Sequence, residues 1–437
     1  MRVALLIPGS GSRFYCENCA RDSGLVNGLI RLGHEVITCP MYLPLGIDHP
    51  EPLAHSPIFY GAVSVYLKQM FPLLRKTPHW VDRVLDSKPM LAMAGALSGS
   101  TNAAGLEALT ISMLNGEHGN QSGELDRLIS WLKLQRPDIL HLSNGLLLGV
   151  ARKVKRELHI PVICSLQDED VWIDAMEEPY GTEAWRILAK RAADADLLLP
   201  VSEYYRESMA AKLSIPRNRM RVVPVGIPVH DIKKNGLSFS PPVIGFLSHI
   251  SKAMGLKLLI EAFIKLHENP RHRSLRLNIT GGSTSADRAF IRECMRKLDA
   301  KQLGFHVHIQ QAFDRADRVE FLMGITLLSV PVLGGEAFGS FQLEAMAAGV
   351  PVVQPALGGF PEIIEKTGGG ILYSPNTAEA LAQSIDSILT DREKTRRLGA
   401  AGRDAVLRYY TIDRMAELID SAYSSKALSH YLRFNTF

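Results

Sequence analysis

The sequence has little of the material that membrane-spanning, secreted and nucleic-acid-binding proteins need. No apolar run is long enough to cross a bilayer, and the apolar start at residues 3–7 is too short for a signal peptide. Cysteine is scarce, with five residues among 437, and this odd number argues for reduced thiols in the cytoplasm. Basic and acidic residues nearly balance, 49 against 45, without a long basic run, so no nucleic-acid partner is expected. These shortages predict a cytoplasmic globular protein.

The length of 437 residues exceeds what one hydrophobic core supports, which predicts two or three domains. Residues 3–7 are predicted as a buried strand, followed by a loop with Gly9 and Gly11, a helix over 21–31 and a strand over 35–39. Such a βαβ unit belongs to a parallel sheet, whose ligands bind at the carboxyl ends of its strands. The glycine loop should therefore line a ligand site. Its spacing does not match G-x-G-x-x-G, so no dinucleotide site is predicted.

Residues 44–130 interrupt this alternation and are predicted to form a helical insert. Within the insert, residues 58–71 are aromatic and apolar. Two interpretations stay open for them. They could pack in a core, or form an acceptor-binding or membrane-surface helix that places the protein peripherally on the inner face of the membrane. Basic residues are sparse there, which favours core packing.

Strands and helices alternate again after the insert, as far as a short strand predicted at residues 222–225. Residues 228–242 have little periodic pattern and contain a Pro-Pro pair, which predicts a linker. A second strand–helix series covers 243–410, and residues 411–437 are predicted to contain a closing amphipathic helix. The chain is therefore predicted to be α/β. Two doubly wound Rossmann-like domains, with residues 1–227 as the first, should face each other across a ligand-binding cleft.

Residues 334–362 are the most informative stretch. A glycine-punctuated loop leads into a short helix that ends at Gly349. Glu336 precedes the junction of loop and helix, and Glu344 follows it about one turn later. A helix that starts near Gly339 points free backbone N–H groups outward, where an anion can bind. Carboxylates suit the hydroxyls of a polyol, and the amides suit a phosphate.

With these motifs the sequence resembles the family 4 glycosyltransferases of the GT-B fold, which use nucleotide sugars and retain anomeric configuration. The resemblance rests on the E-x7-E element from Glu336 to Glu344, its continuation Ala-Met-Ala-Ala-Gly-Val-Pro, and Gly-Gly-Phe-Pro-Glu at 358–362. Residues 256–263 and Arg-Leu-Gly-His-Glu-Val-Ile at 31–37 also fit. The resemblance covers most of the chain apart from the insert. The insert is more weakly similar to the amino-terminal domain of glycogen and starch synthases.

The resemblance implies roles for both glutamates. Glu344 should bind the ribose hydroxyls of the nucleotide, and Glu336 should hold sugar hydroxyls near the reacting carbon. Two solvated or capping carboxylates are the alternative. Glycine loops and backbone amides should contact the sugar and diphosphate, and the residues expected to do so are Gly9, Gly11, Gly281, Ala337, Phe338, Gly339 and Ser340. The resemblance also implies that residues 411–437 cross back to the first domain.

The second domain departs from the family where the diphosphate should bind. The family usually supplies an Arg and a Lys there, whereas this chain has His249 and Met254 at the aligned positions. Leaving-group charge needs a cation in a site without a metal. His249 could donate if protonated, and Lys252 or Lys257 could swing in. Ordinary exposed lysine is the alternative for both.

The first domain departs as well. After the strand predicted at 162–166 the family often has a histidine, and this chain has Gln167. Gln167 can hydrogen-bond a sugar hydroxyl but cannot exchange protons. Asp168 is expected to contact the acceptor or act as a local base. Asp168 and Asp170 also form D-x-D, a metal motif in other transferases, but residues 194–196 match it too, so no metal site is predicted.

Three more residues carry alternatives. Cys16 and Cys19 form a C-x-x-C motif, which occurs in redox sites and as half of zinc sites. No second Cys/His pair stands at ligand spacing, which favours unpaired structural cysteines. His141 is predicted at a strand end, facing either the ligand cleft or the core.

Together with these features, the resemblance implies a retaining, metal-independent glycosyltransferase of the hexosyltransferase type. It should need no cofactor besides its nucleotide-sugar substrate. The second domain would bind this donor, and the first a carbohydrate or lipid-linked acceptor. Two rivals are a GT-B sugar-nucleotide epimerase and a catalytically weakened protein that binds nucleotide sugars without turnover. The case for the latter rests on Met254, Gln167 and Val225, where the family often has other residues.

Overall fold

The structure, a computed structural model, describes residues 1–8, 14–41, 106–425 and Leu428. Most of the predicted insert lies outside the described residues, including the aromatic stretch 58–71. In the described part of the chain, no helix is both long and apolar enough to cross a membrane.

The chain divides into two compact units, and neither is one continuous stretch of sequence. The first unit comprises Met1–Gly11, Asp22–Val223 and Met415–Phe437. The second comprises Ser12–Arg21 and Pro224–Arg414. The short segment Ser12–Arg21 thus packs with residues far along the chain, which the sequence analysis did not anticipate.

Parallel strands and connecting helices build the first unit. Its elements in chain order are β1 Arg2–Ile7, α1 Glu17–Arg31, β2 Glu35–Pro40, α2 Glu107–Asn115, α3 Ser122–Gln135, β3 Ile139–Leu142, α4 Ala151–Leu158, β4 Val162–Leu166, α5 Glu169–Ile173, α6 Tyr180–Ala192, β5 Leu197–Pro200 and α7 Glu203–Leu213. The first turn of α1 lies in Ser12–Arg21 and so belongs to the second unit. The strands form a parallel sheet in the order β2-β1-β3-β4-β5. Its topological switch point lies between β1 and β3, where such sheets bind ligands.

The second unit repeats this architecture with a six-stranded parallel sheet. Its elements are β6 Val243–Leu247, α8 Leu256–His267, β7 Arg276–Thr280, α9 Arg288–Asp299, β8 Val307–Ile309, α10 Arg315–Met323, β9 Leu327–Leu328, α11 Phe341–Ala347, β10 Val352–Pro355, α12 Phe360–Thr367, β11 Gly370–Tyr373, α13 Ala378–Thr390 and α14 Arg392–Tyr409. Helix α15, Ile412–Tyr423, follows, and from Met415 onward it belongs to the first unit. The strand order is β11-β10-β9-β6-β7-β8, with a switch point between β6 and β9. Two helix-covered parallel sheets confirm the predicted α/β class with two doubly wound Rossmann-like domains.

Helix α15 packs in the core of the first unit. Met415, Ile419 and Tyr423 share one buried cluster with apolar residues of β1 and α1. The Tyr423 hydroxyl lies 2.7 Å from Nδ1 of His141, whose Nε2 lies 2.9 Å from Oγ of Ser165. Both ring nitrogens of His141 therefore have partners within the core. Of its two predicted positions, the structure selects the core.

The prediction of a short strand at residues 222–225 is wrong. In this part of the described chain, Met220 forms a single bridge with Leu198, and the Val223 amide donates to the Pro200 carbonyl over 3.0 Å. Pro224 follows immediately and has no N–H group to extend the ladder. An apolar run with proline in it therefore follows the sheet edge without becoming a strand.

Candidate functional site

The loop over residues 336–340 lies between β9 and α11. Gly339 has a φ of +77°, and a Cβ added there would lie 2.6 Å from Cε1 of Phe360 and 3.2 Å from Oε2 of Glu336. The position therefore strongly favours glycine. The Gly359 amide donates to the Glu336 carbonyl over 2.8 Å. The two glycine loops that the sequence analysis singled out thus hold each other in place.

Glu344 lies in the first turn of α11 and is only 2% exposed. Its Oε2 is 3.2 Å from Nε of Arg318, and its Oε1 is 3.3 Å from a terminal nitrogen of Arg315. The Tyr15 hydroxyl donates to Oε1 over 3.2 Å. A buried carboxylate is costly unless it is paired and hydrogen-bonded, as this one is. Glu344 is therefore not a solvated carboxylate, which was the alternative interpretation.

Both arginines come from the start of α10. The helix is capped by Asp314, whose side chain accepts from the Asp317 amide over 2.9 Å. Arg315 also binds both carboxylate oxygens of Asp231 at 2.8 Å, and this hydrogen bonding lowers the pKa of Asp231. Neither Arg315 nor Arg318 was predicted from the sequence as a site residue. The sequence feature that could have identified them is a pair of arginines three residues apart at a capped helix start. They lie in a domain that lacks the Arg and Lys with which the family usually binds the diphosphate.

Residues 14–19 lie against this cluster. The Tyr15 amide donates to the Gly281 carbonyl over 2.7 Å. The guanidinium carbon of Arg318 lies 4.7 Å from the centroid of the Tyr15 ring, in cation–π geometry. Burial, and secondly the charge of Glu344, raises the pKa of the Tyr15 hydroxyl well above its usual value. This hydroxyl therefore keeps its proton and serves as a donor.

Glu17 extends the same segment onto the 336–340 loop. One of its carboxylate oxygens accepts a hydrogen bond from the Ser340 hydroxyl at 2.5 Å and another from the Ser340 amide. Cys16 and Cys19 form a disulfide around this residue, so the prediction of unpaired structural cysteines is wrong for this pair. Helix α1 begins at Glu17, and its first turn brings the two Cα atoms to 5.3 Å, within the usual range for a disulfide. The other three cysteines, Cys39, Cys164 and Cys294, are buried and take no part in a disulfide.

His249 and Gly281 both contact or adjoin the amino-terminal segment. Nε2 of His249 lies 2.9 Å from Oδ2 of Asp287, and the histidine ring packs against Phe14 in a tilted arrangement with 4.5 Å between ring centroids. Gly281 has a φ of +124°, and a Cβ there would lie 2.1 Å from the carbonyl oxygen of Ser248. The turn after β7 can therefore hold the segment only because it contains glycine.

The two predicted lysines are exposed. The Lys257 amino group pairs with Glu293 of α9 over 2.6 Å, and Lys252 lies in the turn between β6 and α8. The arginines of α10, rather than these lysines, contact Glu344. Gly9 and Gly11 lie outside the described residues.

A second cluster follows β4 in the first unit. Gln167 is buried, and Asp168 has a φ of +57°, which is uncommon for a residue other than glycine. Glu169 is 1% exposed, and its carboxylate accepts from the Gly145 amide over 2.6 Å and from the Tyr205 hydroxyl over 2.7 Å. Burial raises the pKa of Glu169 from 4.5 to about 7. Glu169 was not predicted as a site residue. Its hydrogen bonds connect the segment after β4 to Gly145 after β3 and to Tyr205 after β5.

The aspartates of both D-x-D matches have protein partners. Asp170 accepts from the Tyr205 hydroxyl over 3.0 Å. Asp194 and Asp196 pair with basic side chains of α4 and α6. Over residues 1–8, 14–41 and 106–425, no group of three or more His, Cys, Asp or Glu is arranged to hold a metal ion.

Comparison with known proteins identifies the family. Residues 230–405 match the family model of glycosyl transferases group 1, and residues 23–226 match that of the glycosyl transferase 4-like domain. The chain is a GT-B glycosyltransferase of family 4. This glycosyltransferase is 23% identical over 384 residues to an uncharacterized glycosyltransferase of Methanocaldococcus jannaschii, with 84% of each chain covered.

Solved structures agree with this assignment. The glycosyltransferase is similar in fold to sucrose-phosphate synthase from Thermosynechococcus elongatus, with a TM-score of 0.70, 18% identity and coverage of 97% and 98% of the two chains. It is also similar to HepE of Anabaena in complex with UDP, with a TM-score of 0.69, 16% identity and coverage of 97% and 100%. At such low identity the likeness concerns the fold, and it confirms the GT-B fold that the sequence predicted.

Proposed function

We propose that this glycosyltransferase transfers a hexose from a nucleoside-diphosphate sugar to an acceptor hydroxyl, with retention of configuration and without a metal ion. The observation that carries the proposal is the burial of Glu344 between two arginines, beside the 336–340 loop. HepE, which shares the fold, has been solved with UDP and with UDP-glucose, which supports a nucleotide-sugar donor. The nucleotide sugar is a substrate, and no cofactor is proposed.

In this proposal the second unit binds the donor. Glu344 accepts hydrogen bonds from the ribose hydroxyls, and Glu336 holds hydroxyls of the sugar. The Ala337 and Phe338 side chains are buried. In this proposal the 336–340 loop therefore contacts the sugar and the diphosphate through its backbone groups. Gly281 adds a backbone contact that the family resemblance implies.

Arg315 and Arg318 supply the positive charge for the diphosphate, in place of the usual Arg and Lys. They already lie beside Glu344, whereas Lys257 pairs with Glu293 and Lys252 is exposed. Guanidinium groups also match phosphate oxygens in geometry. His249 would add a hydrogen bond when protonated. These cations stabilise the leaving group as the bond from the anomeric carbon to the phosphate oxygen breaks.

The acceptor, a glycan, lipid or small molecule, is assigned to the first unit. Gln167 would hydrogen-bond a sugar hydroxyl, and Asp168 would contact the acceptor or serve as a local base. The acceptor hydroxyl attacks the anomeric carbon from the face that the phosphate leaves, and its proton passes to the departing phosphate oxygen. This course explains retention without a carboxylate nucleophile.

The first test is a thermal-shift screen with UDP, GDP and ADP, followed by nuclear magnetic resonance of products formed from the matching sugar nucleotide and a panel of alkyl glycosides. Binding to the folded state raises the melting temperature. We expect one nucleotide to do so and the product to keep the anomeric configuration. Glu336→Gln should bind the nucleotide but turn over roughly 100-fold more slowly. Glu365→Gln, an exposed glutamate of α12, is the matched control. No shift with any nucleotide would refute the proposal.

The weakened binding protein remains the second candidate, because His249 and Met254 replace the usual cationic pair. It predicts a melting shift with a nucleotide sugar but no product with any acceptor of the panel. The arginine pair beside Glu344 favours the enzyme, since it restores the missing charge.

A further inference from the structure

The amino-terminal segment occupies groups that the proposed function assigns to the donor. The Glu17 carboxylate accepts hydrogen bonds from the amide and the hydroxyl of Ser340. In the proposed function this amide contacts the donor diphosphate. A carboxylate and a phosphate compete for the same N–H donor, because both are oxyanions that accept charge-assisted hydrogen bonds.

Tyr15 occupies the adjoining part of the site in the same way. Its hydroxyl donates to Glu344, where a ribose hydroxyl would donate, and its ring covers the guanidinium of Arg318. Its amide is tied to the carbonyl of Gly281. The ribose-binding carboxylate, one phosphate-binding arginine and the 336–340 loop are thus all contacted by two residues, Tyr15 and Glu17.

The Cys16–Cys19 disulfide lies in the same segment as these two residues. Cys16 follows Tyr15 directly, and its bond to Cys19 closes a ring that contains Glu17 at the start of α1. The Cys19 amide also donates to Sγ of Cys16 over 3.3 Å. The cross-link therefore restricts the backbone that aims Glu17 at Ser340.

We propose that Cys16–Cys19 is a thiol–disulfide exchange site that controls donor binding, and this inference rests on the proposed function. In the oxidised form the ring keeps Tyr15 and Glu17 on the donor site, where they compete with the nucleotide. Reduction opens the ring and lowers the occupancy of Glu17 on Ser340. The donor then binds more tightly.

The exchange requires a dithiol reductant, either a small molecule or a protein of the dithiol class. A thiolate of the reductant attacks one sulfur of the pair, the Cys16–Cys19 bond breaks, and a mixed disulfide forms. The second thiol of the reductant resolves this bond. The protein gains two electrons and two protons as Cys16 and Cys19 thiols, and the reductant leaves as a disulfide.

The test is calorimetric titration of the full chain with UDP, and with GDP and ADP in parallel, before and after treatment with dithiothreitol. A hydrogen bond to a charged group typically contributes enough that its loss changes an affinity roughly tenfold. We therefore expect oxidised Glu17→Gln to bind the nucleotide roughly tenfold more tightly than the oxidised wild type. Reduced wild type should approach the affinity of this variant.

Three further variants separate the effect of Tyr15 and Glu17 on the donor site from the effect of the disulfide. Cys16→Ser/Cys19→Ser should bind as the reduced wild type does and ignore dithiothreitol. Glu393→Gln, an exposed first-turn glutamate of α14, should bind as the wild type does. Tyr15→Phe removes only the hydroxyl that donates to Glu344. If the double variant fails to fold, tighter nucleotide binding by Tyr15→Phe tests whether this segment competes with the donor.

The outcomes distinguish this inference from the proposed function. If a nucleotide binds the wild type, Glu17→Gln and the reduced protein equally well, the inferred competition of Tyr15 and Glu17 with the donor is refuted and the proposed function stands. If Glu17→Gln binds more weakly, Glu17 is part of the donor site and the inference is equally refuted. If none of the three nucleotides binds any form, the proposed function and this inference fail together.

Discussion

Each unit buries a glutamate in the first turn of a helix, Glu344 of α11 and Glu169 of α5, and the two units treat its charge in different ways. In the second unit, Glu344 lies between Arg315 and Arg318. In the first unit, Glu169 accepts hydrogen bonds from the Gly145 amide and the Tyr205 hydroxyl, and burial raises its pKa to about 7. The second unit thus balances its buried charge with cations, which suits an anionic donor. The first holds a carboxyl group that changes protonation near neutral pH, beside the residues assigned to the acceptor.

The largest expected effect comes from removing a cation of the second unit. Arg318→Met leaves the Glu344 carboxylate buried with less compensating charge. Breaking one partner of a buried ion pair costs about 3–5 kcal/mol of unfolding free energy. Denaturant unfolding should show this loss, and nucleotide binding should disappear in calorimetry.

A double variant separates stability from binding. Arg318→Met combined with Glu344→Gln removes both charges. The double variant should therefore regain much of the stability that Arg318→Met loses, but it should still not bind the nucleotide. A single Arg318→Met variant as stable as the wild type would show that the two units do not differ in this way.

The first unit should instead show its glutamate as a dependence of stability on pH. Between pH 4.5 and about 7 the unfolded chain loses the Glu169 proton while the folded chain keeps it. The folded state then binds more protons, so the unfolding free energy falls as pH rises through this window. The fall is on the order of 3 kcal/mol, with little change from this group outside the window.

Glu169→Gln removes this fall, because glutamine has no proton to lose and can still accept from the Gly145 amide. Unfolding free energies measured from pH 4 to 8 should therefore fall less steeply with rising pH in the variant than in the wild type. Glu365→Gln, at an exposed position, should retain it. Parallel pH profiles for the wild type and Glu169→Gln would contradict the account of the first unit.

A smaller effect is expected from the backbone of the 336–340 loop. Gly339→Ala places a Cβ 2.6 Å from Cε1 of Phe360 at a positive φ. Strain of this kind costs about 1–3 kcal/mol. Gly334→Ala is the matched control, since a Cβ there has no neighbour within 4 Å. Thermal unfolding should separate the two variants, and equal melting temperatures would show that the loop is not held as described.

The smallest effect is expected from Lys257. Its amino group pairs with Glu293 on the exposed surface, where ion pairs contribute little. Lys257→Met should leave nucleotide affinity within about twofold of the wild type, because the proposed function assigns the diphosphate to Arg315 and Arg318. A loss comparable to that of Arg318→Met would return the phosphate-binding role to the lysine.

Local pattern was enough to predict much of the second unit. Alternating strands and helices predicted its parallel sheet, and the glycines around residue 339 and at 358–359 predicted the loops beside Glu336 and Glu344. These features depend on neighbours in sequence, such as a glycine that must adopt a positive φ. The E-x7-E element and its flanks then identified the family.

Contacts between distant residues were out of reach. Nothing near Tyr15 or Glu17 in the sequence shows that they meet Glu344 and Ser340, more than 300 positions later. Glu169 resembled any helix-start glutamate until the structure placed Tyr205 and Gly145 against it. The Cys16–Cys19 disulfide was not predicted because the odd number of cysteines argued for reduced thiols, whereas the structure brings the two Cα atoms to 5.3 Å at the start of α1. The missed residues therefore act through tertiary contacts that single-sequence patterns do not encode.

The central claim is that Glu344, Arg318 and the 336–340 loop bind a nucleotide-sugar donor. A crystal structure of the reduced protein with UDP tests it most directly. The account predicts ribose hydroxyls within hydrogen-bond distance of the Glu344 carboxylate, a phosphate oxygen on the Ser340 amide, and the Glu17 carboxylate displaced from that amide. UDP bound elsewhere, with Glu17 still on Ser340, would contradict it.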